Sequence, residues 1–452
     1  MTVQVATPIE CSFAAQINFP ICMYDIATKP RERAIMLAVV RKGSDPDVVR
    51  EHLDELALLL DTAGADVATR VVQERERPEV ATALGKGKVE EVKELILETG
   101  ASMVVFDDDL SPVQVRNLEK AFNVKVLDRA GVILDIFASR ARSAEARTQV
   151  ELAQLEYLFP RLTRMWTHLS KQFGGVGTKG PGETQIETDR RMYRTRIQRL
   201  REKLREIDVQ RAVQRQSREG IPRFALVGYT NAGKSSLLKS LTDADVYIEN
   251  RLFATLDTTV RAFELPSGQR AVLSDTVGFI RKLPAQLVAS FRSTLAEAAE
   301  ADVIVHVADV TSPHVREHID VVNRTLADLG ISQRPILMTF NKVDALEDHL
   351  LLHDLEAEYP GCVFVSAERG INVQRLLTRM QECLEETSIV QHLLIPYDHM
   401  REVSHLYTEV EVLLRDEVDA GVRLAVRLPS DKLNAFQRRY AAFVTASSPD
   451  PQ

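Results

Sequence analysis

The sequence predicts an α/β protein. It should have a small N-terminal parallel α/β domain carrying a long antiparallel helical hairpin, a central α/β domain of phosphate-loop type and a small C-terminal α+β domain. Three observations carry this. Apolar runs alternate with helical spacing over residues 31–142, and the same rhythm returns from Ile221 to about 388. Two long charged helical segments flank GGVGTKGPGETQIETDRR, Gly174 to Arg191. FALVGYTNAGKSSLLKSL joins an apolar strand to an apolar helix through a glycine-bounded loop.

Residues 1–30 show no period and read as an extension. Ala34–Val40 reads as a buried strand, and DVVREHLDELALLLDTAG follows with helical spacing and a stop at Gly64. DVATRVVQ, a helix over Lys88–Thr99, SMVVFDDDL and VKVLDRAG continue the alternation of a parallel sheet. Residues 143–220 read as the hairpin, with Pro160 as a kink or break in its first helix and the glycines at its tip. Between Asp189 and Arg218 the second helix carries eleven Arg/Lys against four Asp/Glu. Residues 221–388 form the central domain and 393–446 the C-terminal unit.

At 452 residues, about three domains are expected. A composition 45% hydrophobic and 27% charged suits well-filled cores. A net charge of −8 argues against whole-surface nucleic-acid binding, and no DNA partner is expected; local basic patches stay open. Cys11, Cys22, Cys362 and Cys383 show no CxxC spacing, which suggests neither zinc nor a disulfide framework and fits a reducing cytosol. No apolar run approaches the roughly 18 residues that span a bilayer. No secretory signal is evident either. A cytoplasmic monomer is expected. Neither a Ser/His/Asp triad nor a metal-spaced histidine cluster is apparent, and the histidines read as packing or surface.

The chemistry concentrates in four segments. Gly228-x-x-x-x-Gly233-Lys234-Ser235 is a phosphate cradle, spanning Tyr229, Thr230, Asn231 and Ala232 and running into Ser236. Its glycines let amides turn inward, and the helix start adds its dipole. Lys234 reaches β/γ oxygens, and the Ser235 hydroxyl suits Mg²⁺. AVLSDTVGF ends a strand at Asp275, followed by Thr276, Val277 and Gly278. Asp275 would hold Mg²⁺ through water, and the Gly278 amide would sense a γ-phosphate. PILMTFNKVD delivers Asn341, Lys342, Val343 and Asp344; the Asp344 carboxylate can accept from both N1–H and the 2-amino group of guanine. Adenine offers neither donor, and such sites discriminate by roughly 10⁴–10⁵. Ser366, Ala367 and Glu368 bring backbone to the guanine O6. Four motifs in this order read as GTP/GDP binding with Mg²⁺.

This arrangement resembles the Obg–HflX branch of translation-factor-type GTPases. LFATLDTTVR, Leu252–Arg261, is similar to that branch's first switch, placing Phe253, Ala254, Leu256 and Asp257 near the nucleotide. The resemblance implies Thr255 as the switch threonine on Mg²⁺, with Thr258 and Thr259 as rivals; the family commonly has proline where Thr258 stands. Lys234, Thr255, Asp275 and Gly278 are then the hydrolytic set. Phe279 follows Gly278, where other GTPases put a water-positioning glutamine. That predicts slow intrinsic hydrolysis, as low as roughly 10⁻⁴ s⁻¹, until a partner rearranges the site; simple core packing of Phe279 is the other reading.

Outside this core, GKGKVEEV, VVFDDDLSPVQVRNLEK, VLDRAGVILDIFASRAR, QVELAQLEYLFPRLTRMWTHLS and GTKGPGETQIETDRR resemble the HflX family. The resemblance covers about 31–445. It implies a GTPase that binds the large (50S) ribosomal subunit, touches ribosomal RNA through the N-terminal domain and hairpin, and splits or rescues stalled or dormant ribosomes or serves assembly. Arg190, Arg191, Arg194, Arg196, Arg199, Arg201, Lys203 and Arg205 suit phosphates, with Lys179 at the apex; a solvated charged helix is the plainer reading. Lys86 and Lys88 of GKGK suit either RNA contact or a helix entrance. An RNA-remodelling ATPase/GTPase is the alternative, disfavoured because no second phosphate loop precedes Gly228. A non-enzymatic adaptor is disfavoured by intact Lys234, Ser235 and Asp275.

Overall fold

The computed structural model describes residues 31–165, 181–216, 221–242, 252–256, 258–283, 297–331, 334–346, 350–386, 388–429 and 433–445. The first sheet is built from β1 (Glu32–Arg41), β2 (Ala65–Arg75), β3 (Met103–Phe106) and β4 (Lys125–Asp128), all parallel in the order β2-β1-β3-β4. Helix α1 (Pro46–Ala63) starts with Pro46 behind an Asp45 cap that accepts from the Asp47 amide, and Gly64 closes it in the left-handed region, φ 86°. Its Leu53, Leu56, Leu59 and Leu60 form one buried face. Helix α2 (Lys86–Thr99) and α3 (Pro112–Phe122) continue the crossovers, α3 behind a reciprocal Ser111–Gln114 capping box. Helix α4 (Arg129–Arg140) leaves β4 through an Asp128 cap.

Two long helices follow, α5 (Ala144–Met165) and α6 (Pro181–Gln216). Pro160 lies inside α5 and does not end it, so of the expected kink or break no break occurs. The helices pack on each other through Arg196–Glu151 and Arg201–Glu156 ion pairs, at 2.6 and 2.7 Å, and through Arg194 over the Phe159 ring. Of the glycines expected at the tip, Gly174–Gly180 lie outside the described residues with Lys179, and Gly182 falls in the first turn of α6.

The second sheet holds β5 (Arg223–Gly228), β6 (Thr259–Glu264), β7 (Arg270–Asp275), β8 (Val303–Asp309), β9 (Ile336–Asn341) and β10 (Val363–Phe364). Its order is β10-β9-β8-β5-β7-β6, parallel except for the antiparallel edge strand β6. Phe224–Val227 of the interior strand β5 are buried on both faces, as a covered parallel strand requires. Helices α7 (Lys234–Thr242), α8 (Val315–Asp328), α9 (Leu350–Glu358) and α10 (Val373–Glu386) accompany it.

The third sheet is antiparallel, β12 (Glu411–Val418), β13 (Gly421–Pro429), β11 (Ser388–Ile395) and β14 (Val444–Thr445) in spatial order, with α11 (Met400–Glu409) and α12 (Leu433–Arg439). Strand β11 pairs with β13 from Ser388 onward, so this sheet begins upstream of the expected residue 393. One hydrophobic cluster crosses from the first sheet to the second. It joins Leu56 and Leu60 of α1 and Phe137 of α4 to Phe253, Leu256, Val277 and Phe279. The N-terminal half therefore shares packing with the segments that border the phosphate cradle.

Candidate nucleotide-binding site

Strand β5 delivers its last residue, Gly228, with φ 156° against the Val307 carbonyl; a Cβ there would fall 2.1 Å from that oxygen. Asn231 (φ 61°) and Gly233 (φ 89°) complete the loop, and α7 starts at Lys234. The Lys234 ammonium is buried and donates to the carbonyls of Gly228 (3.1 Å) and Tyr229 (2.9 Å). Burial draws its pKa down to about 8, with Asp275 opposing. Only the charged form attracts phosphate strongly. GDP affinity is therefore expected to be flat from pH 7 to about 8 and to fall above it, by up to about tenfold per pH unit, as the free ammonium loses its proton. Calorimetric titration across pH 7–9.5 checks this; a flat profile would contradict it.

Three oxygens converge beside Lys234. The Ser235 hydroxyl donates to Asp275 Oδ2 at 2.6 Å and lies 2.7 Å from the Thr255 hydroxyl. Asp275 Oδ1 is buried with no hydrogen-bond partner among the described residues. Burial pushes the Asp275 carboxyl up against Lys234, Ser235 and Thr255. Two hydroxyls and a carboxylate with a spare lone pair are hard oxygen donors, so the residues present fit Mg²⁺. Of the three rival threonines, Thr255 is the one brought to this point. Thr258 has a buried hydroxyl without a partner among the described residues, and Thr259 lies in β6 opposite Asp275. Asp257 lies outside the described residues. Gly278 packs directly on the loop: a Cβ there would fall 2.9 Å from Thr230 Cα and 3.0 Å from Lys234 Nζ.

At the far end, Asn341 ties the cradle to the Ser366 turn, donating to the Ala232 carbonyl (2.9 Å) and accepting from the Ala367 amide (3.0 Å). Lys342, in the left-handed region at φ 68°, pairs with Asp309 at 2.6 Å. A Ser366 hydrogen bond holds the Asp344 carboxyl below its usual range. Arg369 Nε lies 3.2 Å from that carboxylate.

A cavity of about 980 Å³ runs along these elements. Thr230, Asn231, Gly233, Lys234, Ser235, Ser236, Phe253, Ala254, Thr255, Thr276, Gly278, Lys342, Ala367 and Glu368 line it. Gly228, Ala232, Leu256, Asp275, Val277, Asn341, Val343, Asp344 and Ser366 are not in its wall. Among these, Leu256 and Val277 are core packing. Sequence reading missed Lys239, Ser240 and Gly370, which do line it. The first two follow Ser235 and Ser236 by four residues, so helical spacing alone pointed to them.

Tyr229 needs correction as a nucleotide contact. Its carbonyl serves Lys234, but its side chain turns away, stacking on His318 at 3.9 Å and donating to Glu55. Phe279 is 2% exposed, so it packs in the core. Its amide donates to Gly228 and its carbonyl accepts from Thr230. Glu51, His314 and Glu317 gather donor atoms within 4.8 Å where α1 meets α8, with His314 Nδ1 3.0 Å from Glu51.

Comparison with known proteins follows the same lines. Residues 50–138 match the family model "GTP-binding GTPase N-terminal", 140–218 "GTP-binding GTPase Middle Region" and 223–342 "50S ribosome-binding GTPase". The chain is 52% identical over 388 residues to "GTPase HflX" of Flavobacterium psychrophilum, covering 81% of this chain and 93% of that protein. It is 43% identical over 385 residues to "GTPase HflX" of Escherichia coli, covering 84% and 90%. A solved GTP-binding protein from the archaeon Sulfolobus solfataricus, in complex with GDP, is similar at 26% identity and a TM-score of 0.41, over 78% of this chain and 99% of that one.

Proposed function

The chain belongs to the HflX family of GTPases, and from that premise we propose that its GTP cycle governs attachment to the large ribosomal subunit. The observation that supports the switch most is the meeting of Ser235, Thr255 and Asp275 beside Lys234. One loop, one first-switch threonine and one second-switch carboxylate share a point only when the segment carrying Thr255 is folded in. In this reading Ser235 and Thr255 would hold Mg²⁺ beside the Asp275 carboxylate. When bound, the ion would supply charge neutralisation at the phosphates. Lys234 binds the β/γ oxygens, and the Gly278 amide donates to the γ-phosphate. Water attacks γ-phosphorus, the bond to the bridging oxygen breaks, and GDP and phosphate form. The γ-phosphate contact is then lost and the switch segments relax.

The attachment itself rests on family and charge. Residues 223–342 match a family model described as ribosome-binding. Arg190, Arg191, Arg199, Lys203 and Arg205 are exposed on α6, and none forms an ion pair among the described residues. Arg196 and Arg201 are occupied by Glu151 and Glu156, which trims the expected phosphate-facing set. Splitting or rescue of stalled or dormant ribosomes follows from the family resemblance. Co-sedimentation with large subunits tests attachment. Binding is expected with a non-hydrolysable GTP analogue, weak binding with GDP, and affinity falling steeply with salt. Equal, negligible binding with both nucleotides would sink the reading.

A further inference from the structure

Three histidines and two glutamates gather where α1 meets α8, and none of them lines the nucleotide cavity. Glu51 and His52 sit on α1 just ahead of the buried Leu53 and Leu56. His314 stands at the start of α8, and Glu317 and His318 lie in its first turns between the buried Val315 and Ile319. Packing of those apolar neighbours fixes the backbone that carries all five. His314 Nδ1 lies 3.0 Å from Glu51 and 4.0 Å from Glu317. Donor atoms of these three residues all fall within 4.8 Å of one another. His318 Nε2 stands 3.5 Å from the second Glu51 oxygen, and His52 Nε2 stands 3.8 Å from the second Glu317 oxygen. The His318 ring is held in turn by stacking on Tyr229 and by Ser312, whose hydroxyl is 3.5 Å from Nδ1. Glu51 Oε2 and His52 Nε2 are buried with no hydrogen-bond partner among the described residues. There, too, the basic partners of Glu51 and Glu317 are imidazoles; no lysine or arginine pairs with either.

We propose that Glu51, His314 and Glu317 form a binding site for a divalent transition metal of the Zn²⁺ class, which ties α1 to α8. Ligands roughly 2.0–2.2 Å from a tetrahedral ion lie roughly 3.3–3.6 Å from one another. Separations of 3.0 Å, 4.0 Å and at most 4.8 Å straddle that spacing, and glutamate side chains have the rotamer freedom to close the rest. An imidazole with carboxylates suits Zn²⁺ and its neighbours, whereas Mg²⁺ demands a strict octahedron of oxygens. Two carboxylates held this close favour a cation between them, and they offset the positive end of α8 on which His314 sits. Glu317 is 41% exposed, which leaves a side open for water as the fourth ligand. His318 and His52 face the remaining carboxylate oxygens, as the outer partners that orient metal ligands do. The site is separate from the phosphate cradle, and its metal plays no part in the GTP cycle.

The test is calorimetric titration of Zn²⁺ into the tag-free, nucleotide-free full chain. Millimolar Mg²⁺ is present throughout, to compete at oxygen sites such as the one at Ser235. Wild type is compared with His314→Ala, Glu51→Gln and His314→Cys. His314 and Glu51 are part-exposed, so the metal-free variants should fold and melt near wild type. Wild type is expected to take up Zn²⁺ in a single low-micromolar step. His314→Ala and Glu51→Gln should each weaken that step at least about 100-fold. His314→Cys should keep it, because a thiolate is itself a zinc ligand and replaces the nitrogen nearest the backbone. Zn²⁺ at about a hundred times its Kd should raise the thermal midpoint of wild type and His314→Cys by about 5 °C, and leave the other two unmoved. Co²⁺ added to wild type in place of Zn²⁺ should give the strong visible absorption of a four- or five-coordinate ion, a readout that needs no variant. Failure of wild type to bind Zn²⁺, or binding that His314→Ala and Glu51→Gln leave unchanged, would overturn the proposal and leave only ion pairs between α1 and α8.

Discussion

Replacing Asp344 by asparagine is expected to weaken GTP and GDP binding by about 10²–10³ and to create affinity for xanthosine nucleotides. The aspartate is an acceptor at both oxygens, which suits the two donors on guanine's N1 and 2-amino positions. Asparagine puts an NH₂ group opposite one of those donors, and a buried donor-against-donor contact costs far more than a lost hydrogen bond. Xanthine carries a carbonyl where guanine carries the amine, so the one acceptor and one donor of the substituted side chain match it. In the structure Ser366 and Arg369 already hold the Asp344 carboxylate charged. Arg369 is largely exposed, so it swings aside for a purine at little cost. Competition of GDP against xanthosine diphosphate on wild type and variant checks the result. Unchanged GDP affinity would mean that Asp344 does not select the base.

The largest stability effect is expected at Arg129. Arg129→Met keeps a long side chain but removes the charge that compensates Asp107 and Glu55. Leaving a buried charge uncompensated costs about 3–5 kcal/mol. Burial by itself would raise the Asp107 carboxyl, yet Arg129, Lys282 and Arg281 outweigh it and hold it near 2. A carboxyl depressed on folding contributes stability that is fully present above its unfolded pKa and is lost as pH falls through the folded one. That contribution therefore fades from about pH 4 toward 2. In Arg129→Met the fade should begin at higher pH. Urea unfolding at pH 7 measures the main effect, and adding Asp107→Asn and Glu55→Gln should recover part of it. A loss under about 1 kcal/mol would show that solvent or other cations already satisfy the pair.

The phosphate cradle was legible because Gly228, Gly233, Lys234 and Ser235 sit at fixed offsets between a strand and a helix, and local spacing dictates that geometry. Asp275 and Asn341 were legible for the same reason, each ending an apolar strand. The choice of Thr255 over Thr258 and Thr259 was not. The three lie within five residues, and only the fold shows which hydroxyl meets Ser235. The orientation of Tyr229 was equally hidden, since a loop residue has no period to read. Its partner Glu55 is 174 positions away, and Asp107 is 174 positions from Arg281. Acidic residues on the N-terminal elements look like solvated surface until the second half folds against them. The cluster at His314 was half legible: His314, Glu317 and His318 have helical spacing, but Glu51 comes from α1. Pro160 left a kink and a break equally open, because a proline removes one helical hydrogen bond and crowds the preceding turn in either case, and only the folded helix shows that α5 runs through it.

GTP turnover by the full chain, with and without purified large ribosomal subunits, tests the central claim most directly. Slow release of phosphate by the protein alone and acceleration of at least about tenfold by the subunits is the predicted result. The same rate in both, at low and moderate salt, would contradict a GTP cycle governed by the ribosome.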